Sequence, residues 1–307
     1  MKHCISLEEF GGGELARLIQ LALTIKREPA RFATALAERW LLLLFQKTST
    51  RTRMSFEVGM ARLGGRSLTM DWGASNFAIS PIRYEGRYVS RHMDLVMARL
   101  KSHEDVRTLA DSLTVPLING CDNRYHPCQA LADLMTVYEQ AGTFEGQTVA
   151  YVGIHNNVAN SLAIACCRLG VRLILVTPET NPDAADPALM ERLQATGLLE
   201  HTLDLNAAAR RAGFVYTDTW IDMEHFEEES YREEKERRIR EMTPFQLNAE
   251  NLAGSEAYVL HDMPVHPGYE ISAELIEAPR SLIYTQAENR MYSSQALMLH
   301  LLGADPA

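Results

Sequence analysis

Short apolar runs alternate along the chain with longer segments in which apolar residues recur at helical spacing. Residues 41–45 form an uninterrupted apolar run of strand length, and residues 53–63 carry apolar side chains at helical spacing. A second series begins with a predicted strand at 148–152 and continues with a predicted helix over 158–169 and another predicted strand at 172–176. Strands that alternate with helices predict parallel sheets with both faces covered.

The pattern divides the chain into two α/β domains. A length of 307 residues favours about two domains, and the glycine-flanked stretch 142–146 separates the two series of strands and helices. We therefore predict two doubly wound parallel-sheet domains, residues 1–141 and 142–287, joined by interdomain helices. Later in the chain we predict a strand at 282–284 and an apolar helix over 289–302.

Composition and charge exclude several classes of function. No long basic run compensates the formal net charge of -10, which argues against a nucleic-acid partner. The N-terminus lacks a signal-peptide pattern and no apolar run has bilayer-spanning length, so we expect no membrane association and a soluble, cytoplasmic protein. An odd number of cysteines without metal-ligand spacing favours a reducing compartment and predicts no metal site. The cysteines are Cys4, Cys121, Cys128, Cys166 and Cys167.

The segment 48–53 carries the strongest chemical signal. It combines four hydroxyl groups and two guanidinium groups in six residues between a predicted strand and a predicted helix. A strand-to-helix turn directs free backbone N–H groups and the positive end of the helix dipole toward an anion. Hydroxyls add donors, and arginine matches two phosphate oxygens at once. The alternative is a helix N-cap followed by a solvated basic turn; Arg51 and Arg53 favour phosphate.

Four motifs follow one another along the chain. Residues 49–53 read Ser-Thr-Arg-Thr-Arg and are followed by Ser-Phe-Glu, and residues 125–133 read Tyr-His-Pro-Cys-Gln-Ala-Leu-Ala-Asp. Residues 216–220 read Tyr-Thr-Asp-Thr-Trp, and residues 287–290 read Ala-Glu-Asn-Arg. Together they resemble the aspartate and ornithine carbamoyltransferase family over most of the chain. The resemblance implies a C-terminal helix, 288–307, that packs back onto the first domain, and a homotrimer with sites at subunit interfaces.

The resemblance also implies which residues bind carbamoyl phosphate. A dianion with a reactive carbonyl needs a cationic site, a donor to the carbonyl oxygen and a neutral amine placed against it. Among the matching positions, Arg99, His126 and Thr52 are the expected catalytic residues. The full set is Ser49, Thr50, Arg51, Thr52, Arg99, His126, Gln129 and Arg290.

Arg99 and His126 each have a purely structural alternative. Arg99 follows a predicted strand, where α/β proteins bind ligands, but a surface cation would show the same pattern. His126 precedes proline at the start of a predicted helix, where it could serve only as a cap. The helix dipole disfavours imidazolium there, so a neutral N–H can donate to the carbonyl oxygen. Gln129 lies one turn further on and can reach the same ligand, whereas Cys128 has no basic partner that would make it a nucleophile.

The second half of the chain matches the family's acceptor site. Asn157 matches an asparagine that binds the acceptor's carboxylate in the ornithine branch, and Asp218 matches the aspartate that holds its α-ammonium group. A helix N-cap is the alternative for Asp218. The expected acceptor-binding residues are Asn157, Asp218, Asp222, Met223, Asp262 and Met263.

Two turns depart from the ornithine pattern and predict a divergent acceptor site. Ornithine enzymes have Ser-Met-Gly where this chain has Asp-Met-Glu at 222–224, and His-Cys-Leu-Pro where it has His-Asp-Met-Pro at 261–264. The loop 72–84 also lacks the family's usual pattern. Carboxylates in these turns attract a cation, and no arginine stands out there for a second substrate carboxylate. The carboxylates are those of Asp218, Asp222, Glu224 and Asp262.

The sequence therefore predicts transfer of the carbamoyl group from carbamoyl phosphate to an ornithine-like basic amine, with release of phosphate. The leaving phosphate can accept the amine's proton, so neither a covalent intermediate nor a cofactor is expected. The expected partners are carbamoyl phosphate and an amine or amino-acid acceptor. Two alternatives stay open: a carbamoyltransferase for another specialised amine, and a non-catalytic relative that binds carbamoyl phosphate or serves as an assembly partner.

Overall fold

The chain folds into two parallel β-sheets, one after the other along the sequence. The computed structural model describes residues 2–221 and 229–305. The first sheet has the order β2-β1-β3-β4, with β1 (Trp40–Phe45), β2 (Arg66–Asp71), β3 (Leu95–Arg99) and β4 (Leu117–Cys121). The second has the order β7-β6-β5-β8-β9, with β5 (Thr148–His155), β6 (Arg172–Thr180), β7 (Leu199–His201), β8 (Phe214–Thr217) and β9 (Tyr258–His261). Neighbouring strands in both sheets are parallel.

Helices connect the strands and cover the sheets. In chain order they are α1 (Gly12–Arg27), α2 (Thr50–Arg62), α3 (Ile82–Val89), α4 (His103–Ser112), α5 (Pro127–Ala141), α6 (Asn157–Leu169), α7 (Pro187–Gln194), α8 (Leu205–Arg211), α9 (Arg232–Met242), α10 (Ala273–Ile276) and α11 (Ile283–Leu301). Within the described ranges, none of these helices is both long enough and apolar enough to cross a bilayer.

Both faces of each sheet are buried. In β1, Leu43 belongs to one apolar cluster and its neighbour Leu44 to another. In β5, Tyr151 belongs to the first of these clusters and Val152 to a third. Successive side chains of a strand point to opposite faces, so both central strands are packed on two sides. The prediction of two doubly wound parallel-sheet domains is confirmed.

One apolar core is shared by the two sheets. It contains Leu43 of β1 and Tyr151 of β5, together with apolar side chains of α1, α5, α6 and α11. Helix α11 packs against α1, α2 and α5. The last described helix therefore contacts elements of the first half of the chain, which brings residues from distant parts of the sequence into one interior.

Two local predictions are wrong. The strand predicted at 282–284 does not form, because α11 begins at Ile283. Periodicity cannot separate strand from helix in so short an apolar run, and the isolated bridge to β9 is made by Ser281. The loop predicted over 72–84 contains the start of α3, which begins at Ile82 directly after Pro81. Proline is compatible with a helix start because the first N–H groups have no intrahelical acceptor.

Candidate active site

Strand ends from both sheets face one cavity. The strand order changes direction between β1 and β3 in the first sheet and between β5 and β8 in the second. Open α/β sheets bind ligands at such switch points. Arg99 is the last residue of β3 and Asp218 directly follows β8, and both line the same cavity.

The cavity is lined by charges of both signs. Its volume is about 120 Å³, several times the roughly 10–15 Å³ that one water molecule requires. The carboxylates in its lining, Asp218 and Asp262, follow strands of the second sheet. The cations in its lining are Lys47, Arg51, Arg99 and Arg290. Such a lining suits an anion and a cation bound side by side.

Ser49 and Thr52 organise the N-terminus of α2. Ser49 is the N-cap, and its hydroxyl accepts a hydrogen bond from the Thr52 backbone N–H over 3.2 Å. The N–H groups of Thr50 and Arg51 have no acceptor within the helix, since the first turn of an α-helix lacks one. This helix end therefore offers backbone donors and a positive dipole to an anion, as the sequence predicts.

Arg51, Arg99 and Arg290 meet at the cavity from three different elements. The Nε atoms of all three are buried and have no hydrogen-bond partner among the described residues. Burial lowers the pKa of Arg290, and the charge of Arg99 lowers it further. Arg290 is anchored by a hydrogen bond from Nη2 to Thr52 Oγ1 over 2.8 Å. Three like charges with unsatisfied donors are stabilised when a dianion binds between them.

His126 is held in the neutral form at the start of α5. Its side chain is buried, and its backbone N–H donates to Ser161 Oγ over 2.8 Å. Burial lowers the pKa of His126 well below its ordinary value, and the charges of the three cavity arginines lower it further. Its Nδ1 has no hydrogen-bond partner in the described part of the chain. A neutral imidazole retains one N–H, so the geometry is compatible with donation to a carbonyl oxygen.

Asp218 is held by two hydrogen bonds on the acceptor side. Its Oδ2 accepts from Asn156 Nδ2 over 2.6 Å, and its Oδ1 accepts from the Thr219 backbone N–H over 2.6 Å. Burial raises the pKa of Asp218 well above its ordinary value, and the neighbouring carboxylate of Asp262 raises it further. The pair therefore holds a proton at Asp218, which a bound ammonium group would displace.

The turn that carries Asp262 is fixed by two buried side chains. His261 Nδ1 accepts from the Met263 backbone N–H over 2.8 Å, and His261 Nε2 lies 3.0 Å from Glu270 Oε1. Burial acts to raise the pKa of Asp262, but interactions with His261 and Asp218 outweigh it and lower the pKa. Asp262 is therefore ionised. Met263 has a φ of 60°, in a region that side chains of its size rarely adopt.

The structure brings most of the predicted site residues together. Thr50 is exposed at the first position of α2 and does not line the cavity, and neither does Gln129, whose Nε2 donates to Asp133. Asp222, Met223 and Glu224 lie outside the described residues. The predicted residues that line the cavity are Ser49, Arg51, Thr52, Arg99, His126, Asn157, Asp218, Asp262, Met263 and Arg290.

Asn157 reaches the cavity while its amide is engaged elsewhere. Its Nδ2 donates to the main-chain oxygen of Asp122 over 2.5 Å and lies 3.2 Å from Cys121 Sγ. The amide group has a second face, since its oxygen is an acceptor. Contact between Asn157 and a substrate carboxylate stays a prediction.

The structure adds residues that the sequence did not single out. Lys47 joins the cavity cations, and Asn156 connects Asp218 to the N-terminus of α6, which it caps. An asparagine between a strand and a helix is itself a cap signal, so Asn156 could have been found. Burial raises the pKa of Cys128 to about 12, which keeps this thiol protonated. In the part of the chain that the structure describes, no cluster of His, Cys, Asp and Glu could hold a metal ion.

Two family models together match almost the whole chain. The model described as "Aspartate/ornithine carbamoyltransferase, carbamoyl-P binding domain" matches residues 2–139. The model described as "Aspartate/ornithine carbamoyltransferase, Asp/Orn binding domain" matches residues 145–301. The two matches follow one another in the same order as the two sheets.

Individual relatives align along their full length. An ornithine carbamoyltransferase of Archaeoglobus fulgidus is 36% identical over 311 aligned positions, which cover 99% of this chain and 99% of the relative. One from Listeria monocytogenes is 37% identical, with 99% and 96% covered. The solved structure of ornithine carbamoyltransferase from Pyrococcus furiosus has a TM-score of 0.90 and 34% identity to this chain, with 99% and 98% covered. The chain belongs to the aspartate/ornithine carbamoyltransferase family.

Proposed function

We propose that this protein transfers the carbamoyl group from carbamoyl phosphate to an amine of ornithine or a similar basic acceptor, and releases phosphate. The observation that carries the proposal is that three arginines and two carboxylates line one cavity. The arginines suit the dianion and the carboxylates suit a cationic acceptor. Relatives that match along the whole chain are named ornithine carbamoyltransferases, which supports the same reaction.

The phosphate is bound at the N-terminus of α2. Arg51 is the principal cation, and the hydroxyl of Ser49 or Thr52 and the backbone N–H groups of the first turn donate to the phosphate oxygens. Arg290 reaches the same end of the ligand, because its guanidinium is bonded to Thr52. Thr50 contributes its backbone N–H to the phosphate. Gln129 contacts the carbamoyl end of the ligand and not the phosphate, because its NH2 group is already bonded to Asp133.

Arg99 and His126 act on the carbonyl group. Both donate to the carbonyl oxygen, where negative charge develops as the amine attacks. The acceptor nitrogen forms a bond to the carbonyl carbon, and the bond from that carbon to the bridging phosphate oxygen breaks with its electron pair. The leaving phosphate takes the proton of the nitrogen. No residue of the protein forms a covalent intermediate in this scheme.

Asp218 and Asp262 bind the cationic groups of the acceptor, beside Asn157 and Met263. By the family resemblance, Asp262 stands where the ornithine pattern has a cysteine, which supports a divergent acceptor site. This observation also favours a second candidate function, transfer to a different basic amine, for which Asp222 and Met223 belong to the set to be tested. An ionised carboxylate at this position strengthens the attraction for a compact cation in a partly buried site.

Phosphate release from carbamoyl phosphate tests the reaction. The assay pairs the wild type with a panel of acceptors that contains ornithine, lysine, putrescine and aspartate, and Arg51→Met serves as the inactive control. Release that depends on a basic amine is expected, with no stimulation by aspartate. Stimulation by a basic amine other than ornithine would establish the second candidate. Binding of carbamoyl phosphate without release in any mixture would favour a non-catalytic relative and contradict the proposal.

We propose that residues 1–141 with the C-terminal helix bind carbamoyl phosphate and that residues 142–287 bind the acceptor. We also propose a homotrimer with active sites at subunit interfaces. The exposed apolar residues Met54 and Val58 on α2 and Leu68 on the edge strand β2 support a subunit contact. Light scattering on the purified protein tests the assembly, and a stable monomer at assay concentration would contradict it.

We further propose a cytoplasmic location. The five cysteines are all unpaired in the structure, which is typical of proteins from reducing compartments. Fractionation of the cells that express the protein tests the location, and recovery with an extracytoplasmic fraction would contradict it.

A further inference from the structure

A row of buried polar groups connects the two sides of the cavity. Asp133 Oδ1, on α5, accepts hydrogen bonds from Gln129 Nε2 over 2.8 Å and from Gln286 Nε2 over 2.6 Å. Gln286 Oε1, on α11, accepts from the His261 backbone N–H over 2.8 Å. The side chains of all four residues are 0% exposed: Gln129, Asp133, Gln286 and His261. The row begins one helical turn after His126 and ends at the residue before Asp262.

The chemistry of Asp133 fixes the orientation of both amides. An ionised carboxylate can only accept hydrogen bonds, and a neutral carboxyl group still accepts through its unprotonated oxygen. Gln129 and Gln286 must therefore turn their NH2 groups toward Asp133. Gln286 meets the same requirement at its other end, because the His261 N–H can only donate and needs the amide oxygen.

This orientation leaves the amide oxygen of Gln129 without a donor. Gln129 Oε1 has no hydrogen-bond partner among the described residues. Gln129 lies in the first turn of α5, three positions after the N-cap residue His126, and His126 lines the cavity. Carbamoyl phosphate has acceptors on its phosphate and carbonyl groups, and its NH2 group is the only donor of the dianion.

We propose that Asp133 is a positioning residue for carbamoyl transfer, because it holds Gln129 with its amide oxygen free to accept from the carbamoyl NH2 group. The inference rests on the proposed function for the identity of the ligand. Neither Asp133 nor Gln129 lines the cavity. Gln129 lies one helical turn beyond His126, which does line it, and Asp133 acts only through Gln129. Through Gln286 it also holds the strand end that precedes Asp262, which couples the geometry of the two substrate sites.

Ligand binding to Asp133→Leu tests this role without requiring turnover. The probes are phosphonoacetamide, which keeps the NH2 group of the carbamoyl end, and inorganic phosphate, which lacks it. By calorimetry, the Kd of phosphonoacetamide is expected to rise roughly tenfold in the variant, since a hydrogen bond to a buried amide is lost. The Kd of phosphate is expected to stay within about twofold. Asp133→Asn is expected to bind both probes like the wild type, because its amide oxygen can replace Oδ1.

Two further variants separate positioning from general stabilisation. Thr136→Val lies one turn further along α5 and removes the acceptor of the Asn289 Nδ2 hydrogen bond, so it should lower Tm and leave both Kd values unchanged. In a Gln129→Ala background, Asp133→Leu should weaken phosphonoacetamide binding no further. If the leucine variant does not fold, Asp133→Ser takes its place, since a hydroxymethyl group is too short to reach both amides.

Several outcomes would overturn the proposal. Folded Asp133→Leu or Asp133→Ser with wild-type affinity for phosphonoacetamide is one, and additive effects of the Asp133 and Gln129 changes are another. A wild type that binds phosphonoacetamide no more tightly than phosphate is a third. Absence of carbamoyl transfer in the wild type would instead count against the proposed function, because these binding measurements do not depend on transfer.

Discussion

Arg290 Nη2 donates a hydrogen bond to Thr52 Oγ1 over 2.8 Å, although the two residues are 238 positions apart in the sequence. Both side chains are buried and both line the cavity. The bond joins α11 to the first turn of α2, the turn that Ser49 caps. The phosphate site is therefore assembled from an early and a late part of the chain, and its cation depends on the packing between them.

Replacement of Arg290 by glutamine should weaken carbamoyl-phosphate binding. The variant loses a charge and the hydrogen bond to Thr52, and a charge-assisted hydrogen bond contributes about 1.5–3 kcal/mol, so KM for carbamoyl phosphate should rise roughly 10- to 100-fold. Steady-state kinetics at saturating acceptor measure this KM. Arg53→Gln is the matched control: Arg53 directly follows Thr52 on α2 but forms an exposed ion pair with Glu57, so its effect should stay below about twofold. Equal effects of the two changes would contradict the assignment.

His126→Ala should reduce kcat by roughly 100- to 1000-fold, the cost of losing one donor to a developing oxyanion. Because burial and the arginines hold the pKa of His126 below its ordinary value, the imidazole stays neutral as the pH falls toward 6.5. The kcat profile should therefore show no acid limb near that pH. His126→Asn keeps an N–H donor, so its kcat should be higher than that of His126→Ala. An acid limb near pH 6.5 that disappears in His126→Asn would show instead that His126 takes up a proton near that pH, and would contradict the lowered pKa.

Asp262 should determine acceptor binding and leave carbamoyl-phosphate binding almost unaffected. Asp262→Asn removes the ionised carboxylate, so KM for a basic acceptor should rise at least roughly tenfold while KM for carbamoyl phosphate changes by less than about threefold. Asp262→Cys introduces the residue of the ornithine pattern and should shift preference toward ornithine. Glu256→Gln is the control, because Glu256 is almost fully exposed and is not part of the cavity lining. A similar rise in both KM values would exclude this role for Asp262.

Asp133 should make the protein less stable as the pH rises toward neutrality. Burial raises the pKa of Asp133 to about 7, above its value of about 3.9 in an unfolded chain. The folded state therefore binds this proton more tightly, and the resulting stability is present at low pH and is lost as the pH rises from about 4 through 7. Asp133→Asn has no such proton. Thermal unfolding between pH 5 and 8 should show the Tm of the wild type falling relative to that of Asp133→Asn. If the two Tm values changed in parallel with pH, the raised pKa of Asp133 would be refuted.

The fold was accessible from sequence because its central strands are buried on both faces. Residues 41–45 and 149–152 read as unbroken apolar runs, as expected for parallel strands between two helical layers. The run at 282–284 has the same appearance but begins α11. Whether this segment forms a strand or a helix depends on its packing against α1, α2 and α5. A local sequence pattern carries no information about that packing.

The site residues that could be predicted from the sequence are those whose contacts are close to them in the chain. Ser49 and Thr52 are three residues apart and form their capping bond within one turn, so composition alone pointed to them. Arg99 could be inferred from the rule that ligands bind at strand ends. Arg290 required a family motif, because nothing near it in sequence indicates its contact with Thr52. The orientation of Gln129 depends on a buried carboxylate and could not be read from the sequence at all.

The position of α11 has a consequence for hybrid enzymes. This helix follows the acceptor half in the gene, yet it carries Arg290 and packs against α2. A graft that replaced everything after residue 142 with the corresponding segment of a relative would change more than the acceptor site. It would also replace Arg290, which binds carbamoyl phosphate, and the face of α11 that packs against α2. Swaps meant to alter only the amine should therefore rejoin the native sequence before Ile283, so that α11 and the helices against which it packs come from the same protein.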